Sequence, residues 1–110
     1  MKNKKGIDRL TALSNLILDQ HLAKLQACAA ERNRSLQRLQ DLAAKPAEGM
    51  DDFTRATTLL RYESWADARR REMNLVLARQ TVAWMEARKE AQTAFGRANV
   101  LQRIGKTLQK

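Results

Sequence analysis

The chain has little of what usually interrupts a fold or equips it for chemistry. Its 110 residues include one cysteine, one histidine, one proline and four glycines, and aromatic residues make up 5%. Each scarcity excludes something. A single thiol, Cys28, can form no internal disulfide and has no second cysteine with which to share a metal, which agrees with a reducing compartment. His21 is equally alone, so a zinc site or a nucleophile with its base would need acidic ligands that the pattern does not place. Both residues read as ordinary helix-face positions, and neither a cofactor site nor a metal site is expected. With so few aromatics and polar residues on most faces, a large globular core is not expected either. No run of about 18 apolar residues exists to cross a membrane. The basic opening MKNKKG is followed by Ile7-Asp8-Arg9-Leu10, where a signal peptide would carry an unbroken apolar stretch, so the expected location is cytoplasmic.

What the chain does have is the material of long helices: Ala, Leu, Arg, Gln, Glu and Lys, with 30% of residues charged. One strong break interrupts it. The stretch KPAEGMDDF, residues 45–53, holds Pro46 and Gly49. Proline disfavours helical geometry at Lys45 and donates no backbone hydrogen bond, Gly49 can take angles closed to other residues, and Asp51 or Asp52 can cap the helix that follows. The reading is a helix over 7–44, a turn over 45–51 and a helix over 52–108. Together they make an all-α, antiparallel two-helix coiled-coil hairpin with a longer second helix. A dimer exchanging helices satisfies the same signals.

Apolar spacing supports this. Leu18, Leu22, Leu25, Ala29, Arg32, Leu36, Leu39 and Ala43 alternate spacings of four and three, a coiled-coil seam with one charged interruption. Arg32 can either pair across the hairpin or reach water along its apolar stem, the commoner fate of a charged residue at a seam. Upstream, Ile7, Leu10, Leu13 and Ile17 form an apolar face in a shifted frame, as a stutter would produce. The second seam runs Met73, Leu77, Gln80, Trp84, Ala87, Ala91, Ala94, Ala98, Leu101, Gly105 and Leu108. Trp84 lies on it and Trp65 beside it, and both read as filler between the helices.

Folding back at residues 47–50 would set residue i against about residue 97 minus i, bringing Ile7 near Glu90 and leaving the last twenty residues without a mate. That predicted overhang is apolar and basic. From 91 to 110 there is no Asp or Glu, and Lys2, Lys4 and Lys5 should lie nearby. The predicted partner-binding residues are Phe95, Arg97, Leu101, Arg103, Ile104, Lys106 and Leu108. Arg69-Arg70-Arg71 adds a basic collar between Asp67 and Glu72. A formal charge of +9 steers association with an acidic protein surface, anionic lipid or nucleic acid, but the sequence lacks the aromatic platforms, zinc spacing or basic-zipper layout of sequence-specific readers. Glu86 and Glu90 stand one turn apart but are interleaved with Arg88 and Lys89 as on a solvated face, so no enzyme activity is expected.

The second helix, with Trp65, Arg69-Arg70, Asn74, Leu77, Trp84 and AQTAFGRANVLQRI, resembles the FliJ family, the small coiled-coil stalk proteins of flagellar and type III protein export. The resemblance extends to the whole architecture, a basic hairpin with one helix longer, although this chain is shorter than typical members. It implies a stalk similar to the central hairpin of the rotary ATP synthase. The paired ends of such a stalk sit in the hole of a hexameric export ATPase, and the hairpin also touches an export gate and substrate chaperones. The implied location is cytoplasmic, peripheral to a membrane-associated export apparatus. The alternative expectation is a basic helical nucleic-acid-binding protein.

Overall fold

A computed structural model describes residues 2–42, 49 and 51–109. The protein is all-α, an antiparallel hairpin of α1, Lys2–Asp41 (40 residues), and α2, Asp52–Gln109 (58 residues). At about 1.5 Å per residue the helices are about 60 and 87 Å long. The first helix begins five residues before the predicted start. Gly6 lies inside it with open space where a side chain would be, and a single glycine costs only about 1 kcal/mol of helix, too little to stop one anchored at Ile7. Its regular hydrogen bonding ends at Asp41, with Leu42 closing a tighter turn by donating its N–H to the Leu39 carbonyl at 3.3 Å. The predicted seam position Ala43, the last turn at Ala44 and the stop at Lys45-Pro46 lie outside the described residues.

The second helix starts where hydrogen-bond chemistry places a cap. Asp51 accepts the Thr54 N–H on Oδ1 at 2.7 Å, and its carbonyl accepts the Arg55 N–H at 2.9 Å. Just before it, Gly49 has φ 86°, a left-handed conformation that favours glycine.

Two compact units divide the pair: Met1–Ala30 with Val82–Lys110, and Glu31–Thr81. In the first unit, the Ile7 Cγ2 lies 3.7 Å from where a Cβ on Gly105 would sit, and Glu90 Oε2 lies 3.7 Å from His21 Nδ1 and 3.6 Å from Lys24 Nζ. Its core is a row of alanines: Ala87, Ala91, Ala94 and Ala98 are each at most 5% exposed. Small side chains at successive seam positions let helices approach closely, though each buries area worth under about 1 kcal/mol. Facing them on α1, the half-buried positions are Ile7, Thr11, Ser14, Leu18, His21, Leu25 and Cys28, alternating four and three.

In the second unit polar pairs join the half-buried Leu36, Leu39, Met73 and Leu77 on the seam. Arg32 Nε donates to Thr81 Oγ1 at 3.0 Å, and that hydroxyl donates to the Leu77 carbonyl at 2.8 Å. Ser35, 4% exposed, donates its hydroxyl to Gln80 Oε1 at 2.5 Å. Arg70 donates through Nη2 to the Leu42 carbonyl at 3.3 Å and holds Asp67 Oδ1 at 2.8 Å through Nη1, while the Tyr62 hydroxyl donates to the same Leu42 carbonyl at 3.0 Å. Leu42 and Ala66 are the buried apolar residues here.

These contacts correct the predicted register. Ile7 meets Gly105 rather than the neighbourhood of Glu90, and partner numbers add to 111–115, not 97, with the long Tyr62 side chain reaching Leu42 at a sum of 104. In the predicted register Leu18 and Leu25 would have stood level with Arg79 and Glu72. In the observed one they come level with Ala94 and Ala87, where both sides bury apolar surface. The stretch from Ala91 to Gly105 is therefore paired, and the surplus of α2 falls at its beginning, ahead of the Tyr62 and Arg70 bonds to Leu42. Of the two courses open to Arg32, the structure takes the first: it bonds across the helix pair.

Candidate interaction surface

The seven residues predicted to bind a partner do not form one surface. At 100° per residue on α2, Arg97, Val100, Ile104 and Leu108 share one flank of the seam, whereas Phe95 and Lys106 share the other, with Arg103 further round. Leu101 lies between them, half-buried on the seam itself. Leu108, the predicted end of that seam, is 47% exposed, because its turn extends past the Ile7–Gly105 contact toward the end of the pair. Arg97, Arg103 and Lys106 are exposed, as are Lys4 and Lys5 at the start of α1. The side chains of the two helix ends thus present cations together, and no acid occurs in 91–110.

One flank of the Met1–Ala30 and Val82–Lys110 unit holds a groove of about 410 Å³, lined by residues including Ser14, Ile17, His21, Glu90, Ala94 and Arg97. Ile17 and Arg97 therefore border the same furrow from opposite helices. On α1, Leu10 and Leu13 continue the Ile17 stripe at spacings of three and four, and both are half exposed. The shifted apolar face at Leu10, Leu13 and Ile17 is therefore not a stutter in the seam, because the seam runs straight through Thr11 and Ser14. Two overlapping apolar stripes on one helix were the sequence signal of a second surface, since only one of them can face α2. On the opposite flank, Phe95, Leu22, Leu25 and Ala91 line a second furrow with Arg88 and Gln92; Leu22, expected on the seam, stands at its edge, 47% exposed.

The groups with chemical potential are dispersed. Glu90 is engaged by His21 and Lys24, Cys28 is half-buried on the seam, and among the described residues no group of three or more His, Cys, Asp or Glu could hold a metal ion. The Arg69-Arg70-Arg71 collar is partly neutralised, with Arg69 on Glu72 at 3.1 Å and Arg70 on Asp67 and Glu63. Trp84 is half-buried on the seam under the Arg88 guanidinium, 5.7 Å from the ring centre. Trp65 differs from the filler reading: it is 55% exposed and leans against Tyr62, ring centres 5.6 Å apart. No described helix is long and apolar enough to cross a membrane. No protein-family profile, curated protein or solved structure matches the chain.

Proposed function

We propose that the chain is a non-catalytic helical stalk or adaptor of a flagellar or type III export ATPase complex, with its basic end docking on or inserting into a hexameric ATPase. The supporting observation is the charge at that end. The Met1–Ala30 and Val82–Lys110 unit carries eleven Lys and Arg against four Asp and Glu, a formal +7, whereas Glu31–Thr81 carries ten against eight, +2. Two helices paired as far as Ile7 and Gly105 bend less than a single one, and Lys4, Lys5, Arg103 and Lys106 stand exposed on them. A stalk tip needs those two properties, stiffness and charges that acidic residues lining a ring can meet. In this reading the protein works in the cytoplasm beside a membrane-associated apparatus, and its remaining surface is open to an export gate or substrate chaperones. The resemblance of the second helix to the FliJ family supports the same reading.

The test mixes the purified chain with a purified hexameric export ATPase and follows co-elution, alongside the variant Lys4→Glu/Lys5→Glu/Arg103→Glu/Lys106→Glu. Co-elution of the parent, lost in the variant while its helical circular dichroism persists, is the expected result. If the variant co-elutes unchanged, the basic end is not the contact. If the parent ignores the ring yet shifts DNA or RNA at about 0.15 M salt, the nucleic-acid alternative replaces the stalk.

A further inference from the structure

We infer that the flank bearing Leu10, Leu13 and Ile17 on α1 and Val100, Ile104 and Leu108 on α2 is a docking groove for an amphipathic α-helix with acidic residues beside its apolar stripe. The six side chains are each 41–53% exposed. The α1 set is spaced three and four and the α2 set four and four, so each forms a stripe, and Ile17 and Arg97 border one furrow. Ser14 and Ala94, small side chains on the seam, line that furrow, where a third helix can seat its own ridge.

Charge decides the kind of occupant. Arg9 borders the α1 stripe and Arg97 stands at the Val100 end of the α2 stripe. Both are exposed, and neither has an acidic partner among the described residues. Two acids, Glu86 and Glu90, line the other end of the furrow beside Lys89, and Glu90 is already paired with Lys24 at 3.6 Å. A helix with carboxylates beside its apolar stripe answers both arginines. A second copy of this chain would bring the same two arginines and the same +7 unit against itself. Area points the same way: the exposed parts of the six side chains amount to on the order of 500 Å², short of the roughly 800 Å² per partner of a standard stable interface, which suits a reversible docking. This surface is separate from Lys4, Lys5, Arg103 and Lys106, and the inference does not depend on the ATPase reading.

The test uses the full chain and a fluorescent synthetic helix of about 20 residues, long enough to follow the flank from Leu108 back to Glu86. The peptide carries Leu and Ile at coiled-coil spacing with Glu on both sides of the stripe. A scrambled peptide of the same composition and a Lys-flanked version are the controls. Saturable binding of the ordered acidic peptide alone is expected, weakened about tenfold or more by Leu10→Gln/Val100→Gln and, separately, by Arg9→Glu/Arg97→Glu. All four positions are exposed, and thermal melts of the variants confirm that the fold survives. Equal binding of the scrambled peptide, or binding indifferent to both variants, overturns the inference. So does concentration-dependent dimerisation that Leu10→Gln/Val100→Gln abolishes, which would assign the groove to a second copy. Binding to phosphatidylserine vesicles that the same variant abolishes, without peptide binding, assigns it to lipid and equally overturns the inference.

Discussion

Asp51 shows how much one side chain can decide locally. Its carboxyl is held below the ordinary 3.8 by hydrogen bonding to the Thr54 side chain and then to the Thr54 amide. Because the folded-state value lies below the unfolded one, the stabilisation is present above pH 3.8 and is lost as pH falls through the folded value. Asp51→Ala should lower the melting temperature at pH 7, with a smaller difference at pH 3; melts followed by circular dichroism at the two pH values check this. Gly105 offers the opposite opportunity. A methyl there would meet the Ile7 Cγ2 at 3.7 Å, an ordinary contact, so Gly105→Ala should stabilise the protein by about 0.5–1 kcal/mol in urea unfolding. Gly49→Ala should do the reverse, since its φ of 86° is strained for any other side chain. The need for a cap and for a flexible turn residue was legible in DD and G at residues 49–52. Which aspartate serves as the cap was not, because either could reach the same free N–H groups.

The two helices differ in how openly they declared their faces. On α2 the seam from Met73 to Gly105 was legible because its flanking positions are mostly polar or charged, which leaves one frame for the small and apolar residues. On α1, apolar residues occupy two frames, and the more hydrophobic set at Leu10, Leu13 and Ile17 is the one left uncovered, while Thr11, Ser14 and His21 face the pair. The alanine row accounts for this choice: four small side chains admit close approach, and a close partner face accepts small and polar residues where larger ones would hold the helices apart. Ala94, 5% exposed, tests the point. Ala94→Leu should destabilise by about 1–3 kcal/mol in urea despite its greater hydrophobicity, through overpacking. Register can be checked covalently. With Cys28→Ser in the background, Ile7→Cys/Gly105→Cys should form a disulfide under mild oxidation, and Ile7→Cys/Glu90→Cys should not.

At the scale of the molecule, charge and pairing determine what kinds of partner are open to it. The acid-free stretch 91–110 was visible in the sequence and remains exposed in the structure at Arg97, Arg103 and Lys106, so any association through it should weaken steeply with added salt. The Arg69-Arg70-Arg71 collar contributes less than its sequence suggests, because Glu72, Asp67 and Glu63 take up two of its three cations. By itself, the sequence determined that the fold is all-α, where the chain breaks and which residues face inward from Met73 to Gly105. Those depend on local propensity and on periodicity along one helix, which composition and spacing express directly. Only the tertiary structure decided the register of one helix on the other, the bond from Arg32 to Thr81 and the identity of the uncovered apolar flank. Those are choices between faces that are each helical and each partly apolar. They are settled by how closely two backbones can approach and which polar groups find partners across the gap, and neither is a property of one helix alone.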